Sequence, residues 1–400
     1  MKIIHTGDWH IGKIVNEFSM LEEQKYILDR LISVVEAEKP DALILAGDIF
    51  DRSIPPVEAV ELVDEVFSKL LLELQVPVLA IAGNHDSAER LSFASRILTN
   101  NGLHIAGMFG GNVPCISLED KTGPVNFYLL PYTDPRNIRH IYDDNQISTH
   151  DDAMKKVMDK IEHVFNSSER NIMVTHGYIT QMGRPAEYTS ESERPLSIGG
   201  TEFVNSDYFG MFDYTALGHL HAPQKAGYDN VRYSGSLLKY SFSEVNQKKG
   251  ITIVELDEKG NAIHRHIDLI PRRDMRIIKG PVNELISPEV YKSANTEDYI
   301  YAVLTDRGEL IDPISRLRAV YPNIMGLSRE SGSRKEGSKT SASQGYKSKT
   351  KLELFREFYD SIQGEPLGEE AEAVMAKIIG EVEKEGTYNI LGAANVAHGG

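Results

Sequence analysis

Short apolar runs that end in polar residues constrain the fold of this chain more than any other sequence feature. Four of these runs are of strand length and lie at residues 3–5, 42–46, 76–82 and 172–175. Their continuous apolar character is typical of strands that are buried on both faces. Segments with helical periodicity lie between these runs, at 26–38, from Pro55 toward Leu74, and at 152–165. This alternation of strands and helices predicts an α/β fold.

Several elements carry local signals at their ends. Ser19-Met20-Leu21-Glu22 has the pattern of a capping box, which predicts the start of the first helix. Later strand patterns lie at 231–234, 251–256 and 262–269. The turn Asp257-Glu258-Lys259-Gly260 between the last two predicts a hairpin.

Five polar clusters, each at or just beyond the carboxyl end of an apolar strand, carry the candidate chemistry. Their shared residue types are aspartate, histidine, asparagine and glycine, in Gly7-Asp8-Trp9-His10, Gly47-Asp48-Ile49-Phe50-Asp51, Gly83-Asn84-His85-Asp86, Thr175-His176-Gly177 and Gly218-His219-Leu220-His221. Ligands bind at this edge of an open α/β sheet, so we expect the clusters to converge. Aspartate, histidine and asparagine without thiolates suit divalent ions such as Mn²⁺, Zn²⁺ or Fe²⁺.

The number of candidate ligands indicates two ions rather than one. Seven side chains are available, namely Asp8, His10, Asp48, Asn84, His176, His219 and His221. Two ions that share a bridging carboxylate would use them all, and Asp48 is the natural bridge because a carboxylate has two oxygens. Two dications beside Asp8 and Asp48 leave about two positive charges, which would attract a phosphate diester. Each residue alone is more often structural, and only the ordered set indicates a metal site.

The composition narrows the class of protein. The single cysteine, Cys115, excludes an intramolecular disulfide and a thiolate-rich zinc site. No apolar run reaches the roughly 18 residues of a membrane span, and no signal-peptide pattern opens the sequence, so a cytoplasmic location is expected. The net charge of −16 counts against a simple nucleic-acid-binding protein, although bound cations would reverse the sign locally.

Changes in composition predict four regions along the chain. They are a first domain at 1–270, a smaller capping domain at 271–327, a flexible Ser/Lys/Gly-rich linker at 328–350 and a helical region at 351–400.

Two groups of residues in the later regions have open interpretations. Arg272, Arg273 and Arg276 follow the first boundary, and they either contact DNA phosphates or form a solvated surface. The helix predicted at 351–362 has one apolar face, formed by Leu352, Phe355, Phe358, Tyr359 and Ile362. This face either engages a partner or packs onto the chain's own core.

The ordered polar clusters resemble those of the calcineurin-like metallophosphoesterase superfamily. Within it the chain is similar to the SbcD family, the nuclease subunits of bacterial complexes that process DNA breaks. The segments that carry this closer likeness are 4–12, 192–200, 232–236 and 354–359. The resemblance implies a two-sheet sandwich flanked by helices over residues 1 to 270, which would be the nuclease domain.

The resemblance also implies roles for the site residues. One ion would be held by Asp8, His10, Asp48 and His221, and the other by Asp48, Asn84, His176 and His219. His85 would face the scissile phosphate and protonate the leaving oxygen. Relatives from other kingdoms carry a second phosphate-facing histidine three residues after the bridging aspartate. This chain has Asp51 there, so the role is either unfilled or filled by another residue.

The activity implied by the resemblance is Mn²⁺-dependent hydrolysis of DNA phosphodiester bonds, at ends and hairpins and within single strands. The implied partners are DNA, a coiled-coil ATPase of the SbcC type bound by the 351–400 region, and a second copy of the chain, through helices near 92–100. A phosphatase or a cyclic-nucleotide phosphodiesterase would use the same dimetal site, and a non-catalytic scaffold would keep the same fold. A small-molecule esterase does not require the regions after residue 271.

Overall fold

The first part of the chain alternates strands and helices, as the apolar runs predict. The computed structural model describes residues 1–181, 184–193, 195–196, 202–306, 310–330, 350–363, 367–368 and 370–379. The strands up to residue 106 are β1 (Lys2–Thr6), β2 (Ile14–Val15), β3 (Phe18–Ser19), β4 (Ala42–Leu45), β5 (Val78–Ile81) and β6 (Leu103–Ala106). The helices of this stretch are α1 (Leu21–Glu38), α2 (Val57–Ser68), α3 (Ala88–Ser92) and α4 (Ser95–Leu98).

Among the described residues, ten further strands and two α-helices follow before residue 270. The strands are β7 (Cys115–Asp120), β8 (Gly123–Leu130), β9 (Arg170–His176), β10 (Tyr178–Thr180), β11 (Phe203–Asn205), β12 (Tyr214–Gly218), β13 (Gln224–Ala226), β14 (Tyr228–Tyr233), β15 (Gly250–Leu256) and β16 (Ala262–Asp268). The helices are α5 (Pro135–Tyr142) and α6 (His150–Glu162). The strands β15 and β16 are antiparallel neighbours, which confirms the predicted hairpin.

Two six-stranded sheets form the frame that positions the polar clusters. The strand order is β16-β15-β1-β4-β5-β6 in the first sheet and β13-β14-β12-β9-β8-β7 in the second. The neighbours β1, β4, β5 and β6 run parallel, as do β8, β9, β12 and β14. Parallel strands put their carboxyl ends at the same edge, so the clusters that follow β1, β4 and β5 lie together, and so do those that follow β9 and β12.

The two sheets pack face to face, and helices cover their outer faces. Alternate residues of β1 show both contacts, because successive side chains of a strand point to opposite faces. Ile3 lies in the apolar layer that it shares with Ile172 and Ala216 of the second sheet, whereas Ile4 packs in the same cluster as Leu28 of α1. Truncating a fully buried isoleucine such as Ile3 would cost about 2–5 kcal/mol. The predicted α/β sandwich is therefore confirmed.

A three-stranded parallel sheet follows residue 270. Its strands are β17 (Met275–Gly280), β18 (Tyr299–Leu304) and β19 (Ile324–Arg329), and its helices are α7 (Val282–Leu285), α8 (Pro288–Tyr291) and α9 (Pro313–Arg318). The sheet has its own apolar cluster, which includes Ile300, Leu304 and Leu317. Met275 and Tyr299 instead pack into the cluster beneath α1, and Met1–Glu330 form one unit.

Two local predictions differ from the structure. The backbone of Ser328 and Arg329 pairs with β18, so these residues belong to the sheet and not to the linker predicted at 328–350; residues 331–349 lie outside the described residues. The capping box predicted at Ser19 is wrong, since the residue that precedes α1 is Met20, which makes no side-chain cap, and the Ser19 hydroxyl accepts from the N–H of Leu21 and not of Glu22. Ser19 belongs to β3, and Glu22 forms an ion pair with Arg272 instead.

Residues Ser331–Gly400 form a second unit. Within it α10 spans Lys351–Gln363, which confirms the helix predicted at 351–362, and residues 370–379 are also helical. The Thr350 hydroxyl accepts a hydrogen bond from the Glu353 N–H at 3.3 Å, and the Glu353 carboxylate accepts one from the Thr350 N–H at 2.7 Å. These two bonds form the capping box that starts α10. Nowhere in the described ranges is a helix long and apolar enough to cross a bilayer.

Candidate metal centre

The five polar clusters meet at one edge of the two sheets, as the strand pattern predicts. Asp8 and His10 follow β1, Asp48 follows β4, and Asn84 follows β5. In the second sheet β9 ends at His176, and β12 leads into the pair His219 and His221. Short distances between these side chains then define two groups that share Asp48.

The first group is Asp8, His10 and His221, which we call the His221 half. One ligand atom from each lies within 4.8 Å of the others, and the Nε2 atoms of His10 and His221 are 3.0 Å apart. The second group is Asn84, His176 and His219, which we call the His176 half. Oδ1 of Asn84 lies 2.9 Å from Nε2 of His176 and 3.2 Å from Nδ1 of His219.

Asp48 lies between the two halves. Its Oδ2 is 3.6 Å from Nε2 of His10 and 3.5 Å from Nε2 of His176. Its Oδ1 accepts a hydrogen bond from the backbone N–H of His85 at 2.9 Å. One carboxylate oxygen thus faces a histidine of each half, which is the placement that a bridging ligand requires.

Unusual backbone conformations bring these side chains together. Asp8, His10 and Asp48 have φ angles of 52°, 47° and 50°, and His219 has 109°. Such left-handed conformations cost about 1–3 kcal/mol for a residue other than glycine and persist only where the surroundings impose them. Here the N–H of Asp8 donates to the Gly47 carbonyl at 3.0 Å, and the N–H of His10 donates to the Asp48 carbonyl at 2.9 Å. The strained loops are therefore tied to one another.

Two glycines allow the strand ends to approach this closely. A Cβ atom on Gly83 would collide with the Asp48 carboxylate, and one on Gly218 would collide with the carbonyl oxygen of Ala46. Any side chain at either position would push apart the loops that carry the proposed ligands.

Burial controls the protonation of the ligand candidates. It lowers the pKa of the four histidines His10, His176, His219 and His221. Their rings are therefore neutral at neutral pH, and the neutral imidazole is the form that binds a metal. Burial and the charge of Asp48 raise the pKa of Asp8, and a cation beside it would favour the charged carboxylate.

The residues present fit a divalent metal centre. Oδ2 of Asp8 and Nδ1 of His10 are buried and have no hydrogen-bond partner among the described residues. Leaving such an atom unsatisfied costs about 1–3 kcal/mol, and a cation would satisfy the Asp8 oxygen. The oxygen and nitrogen donors, with no thiolate among them, suit a borderline-to-hard ion.

Comparison with known proteins assigns the chain to a family. A calcineurin-like phosphoesterase model matches residues 1–223, more than half of the chain. A "Type 5 capsule protein repressor C-terminal domain" model matches residues 271–363. The D subunit of nuclease SbcCD from Staphylococcus epidermidis is 37% identical over 328 residues, which cover 82% of this chain and 85% of that protein. The chain belongs to the SbcD family. It is a metal-dependent phosphodiesterase of the calcineurin-like superfamily, with the dimetal site that this fold implies.

Two solved structures have weak likeness to this SbcD-family chain. TT1561 of Thermus thermophilus is 10% identical with a TM-score of 0.38, covering 66% of this chain and 98% of its own. A dimetal phosphatase from Danio rerio is 12% identical with a TM-score of 0.41, covering 68% of this chain and 96% of its own. Neither adds to the assignment.

His85, which the sequence predicts to face the substrate, lies beside the site of this SbcD-family chain, within reach of His10 and Asp51. His85 Nδ1 lies 2.8 Å from the backbone carbonyl of Asp51 and must donate to it, since a carbonyl only accepts. The ring stands edge-on to His10, with 4.7 Å between ring centroids. His85 is partly exposed, so its Nε2 is the ring atom left for a substrate.

A charged group behind His221 was missed by sequence reasoning. The carboxylate of Glu244 is fully buried and lies 3.2 Å from Nδ1 of His221, and Nζ of Lys249 lies 2.7 Å from its other oxygen. Ser192 Oγ contacts the same Nδ1 at 2.7 Å, and Glu193 accepts the His221 N–H at 2.8 Å. These partners fix the ring so that Nε2 is directed into the site. The one signal in the sequence was that Ser192 and Glu193 lie in the segment typical of the SbcD family.

Asp86 is a second residue whose role the sequence did not reveal. Its carboxylate accepts backbone N–H bonds from Ile49 at 3.1 Å, Phe50 at 2.9 Å and Gly83 at 2.9 Å. It thus ties the loop after β4 to the loop after β5. Burial, with the neighbouring charge of Asp48, raises the pKa of Asp86 to about 7.

The three arginines predicted to contact substrate are ion-paired within the chain. Arg272 and Arg273 lie 2.9 Å and 2.6 Å from the buried Glu23, and Arg276 lies 2.6 Å from Asp298. All three side chains are at least a quarter exposed. Their contact with DNA stays a prediction.

The predicted partner-binding residues lie on α10 of the second unit. Phe355 packs against Phe358 and Tyr359 with ring centroids 6.4 Å apart in each pair. Phe358 is 59% exposed although it is aromatic. Leu352 and Ile362 belong to the same helix.

Proposed function

We propose that the chain is a cytoplasmic, Mn²⁺-dependent DNA nuclease that acts with an SbcC-type coiled-coil ATPase. Its substrates would be DNA ends, hairpins and single-stranded DNA, cut as an exonuclease and an endonuclease in recombination, replication and repair. The observation that carries the proposal is the place of Asp48, with one oxygen 3.6 Å from His10 and 3.5 Å from His176. The name of the staphylococcal relative, a nuclease subunit of SbcCD, supports the substrate and the partner.

Each half of the site would hold one ion. Asp8, His10 and His221 would hold one ion, Asn84, His176 and His219 the other, and Asp48 both. When bound, the two ions would lower the pKa of a water molecule and stabilise the charge that develops on the phosphate oxygens. Mn²⁺ fits this mixture of nitrogen and oxygen donors better than Mg²⁺, which prefers an all-oxygen octahedron.

His85 is the proposed general acid. The Asp51 carbonyl holds its Nδ1–H at 2.8 Å, which fixes the ring and leaves Nε2 to deliver a proton to the leaving oxygen. A histidine ring nitrogen can carry a proton and deliver it to an oxygen within hydrogen-bond reach, as a general acid requires. The backbone N–H of His85 donates to Asp48. This bond fixes the position of the proposed general acid relative to the proposed bridging carboxylate.

The decisive experiment uses the purified chain with linear duplex DNA and with circular single-stranded DNA. We expect cleavage of both with Mn²⁺, little with Mg²⁺ alone, and none with EDTA. Glu65→Gln, a change at an exposed residue of α2, serves as a matched control. Hydrolysis of a cyclic nucleotide or a phosphomonoester, without cleavage of DNA, would contradict the proposal and favour the phosphatase or phosphodiesterase alternative.

The arginines at the start of the three-stranded sheet are proposed to contact duplex DNA. Arg272 is the most exposed of the three, at 41%, and its ion pairs with Glu22 and Glu23 would exchange for DNA phosphates. Neutralising Arg272, Arg273 and Arg276 should weaken duplex cutting and flatten its salt dependence. An equal loss on a small chromogenic phosphodiester would point to misfolding instead.

The apolar face of α10 is proposed to bind the ATPase. Its aromatic side chains, with Phe358 59% exposed, match the anchors that an amphipathic helix presents to a groove. Phe355→Ala with Tyr359→Ala should abolish co-purification with the ATPase and leave the melting temperature unchanged, whereas Glu357→Ala on the opposite face should bind normally. Normal binding by the double variant, or a lower melting temperature, would assign the helix to the chain's own core.

A second copy of the chain is the other proposed partner. Phe93 and Ile97, on and beside α3 and α4, are 81% and 70% exposed. Ile54 is 66% exposed, and its chain neighbours Ser53 and Pro55 line a cleft together with Phe93. An apolar surface of this kind is typical of a protein interface. Phe93→Glu should therefore convert a dimer to a monomer in sedimentation experiments, and a monomeric wild-type chain would contradict this part of the proposal.

A further inference from the structure

Lys13 is an almost buried cation beside the metal centre. Its side chain is 12% exposed, and its ammonium lies 2.7 Å from Oδ1 of Asp51. The same ammonium sits over the ring of Tyr240, at 5.5 Å from the centroid. The backbone of Lys13 is fixed as well, because its N–H donates to the His10 carbonyl at 3.0 Å and its carbonyl accepts the Met20 N–H at 3.0 Å.

The surroundings of Lys13 place it next to the candidate metal ligands and His85. Oδ1 of Asp51 is 3.7 Å from Nδ1 of His10, and the Asp51 carbonyl holds His85. The Tyr240 ring lies 5.7 Å from the His10 ring and 6.0 Å from the His221 ring. Lys13 is thus adjacent to the metal centre without being among its proposed ligands.

Tyr240 also lines a cleft that reaches the three-stranded sheet. Phe242 and Tyr301 line the same cleft, as does Ser192. A DNA strand with its scissile phosphate at the ions would pass Lys13 before entering this cleft. The phosphate next to the scissile one would then meet the ammonium.

The Lys13 ammonium has more N–H groups than hydrogen-bond acceptors around it among the described residues. It carries three N–H groups, and in the described part of the chain Asp51 is its one hydrogen-bond partner. Nearly buried donors are costly unless they are satisfied. A phosphate oxygen would satisfy them, whereas the ion pair with Asp51 uses only one.

We propose that Lys13 binds the DNA phosphate next to the scissile one. Asp51, whose Oδ1 lies 2.7 Å from the ammonium, orients it. The inference rests on the proposed nuclease function, and it makes Lys13 a substrate-binding residue that selects polynucleotides over small diesters.

The test compares a single-stranded oligonucleotide with bis(4-nitrophenyl) phosphate, which has no neighbouring phosphate. In Mn²⁺, Lys13→Met should raise the KM for the oligonucleotide about tenfold, the scale of one charge-assisted hydrogen bond. The ratio of kcat/KM between the two substrates should fall by a similar factor. The slope of log kcat/KM for the oligonucleotide against log salt should become shallower by about 0.7, the value for one phosphate contact on a single strand.

Three further variants isolate the cause. Lys13→Arg should restore most of the oligonucleotide KM, because it keeps the charge. Lys25→Met removes an exposed lysine that pairs with Glu65 at 3.2 Å and should match the wild type. Lys13→Met with Asp51→Asn removes both charges, and it should retain the raised KM if the ammonium binds DNA.

The opposite results would overturn the inference. If the double variant recovers the wild-type KM, Lys13 only neutralises Asp51. An unchanged dependence of kcat/KM on salt, or an equal loss of kcat/KM on both substrates, would also show that Lys13 does not bind a neighbouring phosphate. A wild-type chain that hydrolyses bis(4-nitrophenyl) phosphate but not the oligonucleotide would instead overturn the proposed nuclease function, and this inference with it.

Discussion

The two halves of the metal centre are held in place by different kinds of group. In the His221 half, the ring nitrogen behind the site contacts Glu244 at 3.2 Å and Ser192 at 2.7 Å. In the His176 half, Nδ1 of His176 donates to the backbone carbonyl of Ala46 at 2.9 Å. One half is thus supported by side chains and the other by a strand end.

The difference has consequences for how each half responds to mutation. A carbonyl at a strand end is fixed by the fold and is not removed by substitution. A carboxylate raises the basicity of its histidine, but it needs its own partner when buried. Although burial alone would raise it, the charge of Lys249 and the hydrogen bond with His221 hold the pKa of Glu244 well below its usual range. The His221 half should therefore be the more tunable and the more vulnerable one.

The largest effect is expected where the halves join. Asp48→Ala should remove metal from both halves and abolish hydrolysis, because the bridging carboxylate serves both ions. Metal content by mass spectrometry, with a DNA cleavage assay, checks this. If one ion per chain remains bound at wild-type affinity, Asp48 belongs to one half only.

His85 tests whether a residue between the halves acts on the substrate rather than on the metal. His85→Ala should lower the cleavage rate by roughly 10²-fold or more, the usual scale for loss of a general acid, while both ions stay bound. Anomalous scattering from Mn²⁺ in crystals of the variant gives the occupancies. An empty half in those crystals would reassign His85 as a ligand.

Glu244→Gln probes the charged support of the His221 half. Loss of such a partner usually costs 10- to 100-fold in metal affinity, and we expect about tenfold at the His221 half with no change at the His176 half. A calorimetric titration with Mn²⁺ measures the metal affinity of each half separately. Because Gln removes the ion-pair partner of Lys249, Glu244→Gln with Lys249→Met controls for instability and should keep the weakened site. Equal weakening of both halves would remove the distinction between them.

The smallest effect on hydrolysis is expected at His5, which lies behind both halves and is not proposed to contact metal. His5 is bonded to the Tyr214 hydroxyl at 3.0 Å and the Leu217 carbonyl at 3.2 Å. Burial lowers the pKa of His5 to about 3, against roughly 6.5 in the unfolded chain. Between these values only the unfolded chain binds the proton, so this contribution to stability is complete above pH 6.5 and is lost as pH falls toward 3.

The loss amounts to about 5 kcal/mol at most. His5→Gln should therefore flatten the fall in the free energy of unfolding between pH 6.5 and pH 4, measured in EDTA with urea. An unchanged pH dependence would show that the acid sensitivity of the fold has another source.

The metal centre could be predicted from the sequence because its signal is local. Asp8, Asp48 and Asn84 each follow a short apolar strand and a glycine, and parallel strands bring such ends together. Glu244 and Lys249 could not be predicted in this way. Their role depends on the tertiary contact that brings a turn 23 residues beyond His221 behind its ring.

The local errors have the same origin. Ser19 and Glu22 have the spacing of a capping box, but the backbone of Ser19 pairs with Ile14 in the β2–β3 hairpin, and the Glu22 carboxylate pairs with Arg272. Ser328 and Arg329 are polar, so their composition predicted a linker. They belong to an edge strand instead, because backbone pairing with β18 does not require apolar side chains. Helix α10 was predicted closely because its periodicity is contained within its own residues.

The central claim is that two ions, shared by seven side chains, carry out the hydrolysis. The most direct measurement is a titration of the metal-free chain with Mn²⁺, in which bound metal and cleavage of single-stranded DNA are followed together. We predict two ions per chain, with cleavage that appears only as the second ion binds. Full cleavage with one ion bound, or in excess EDTA, would contradict the account.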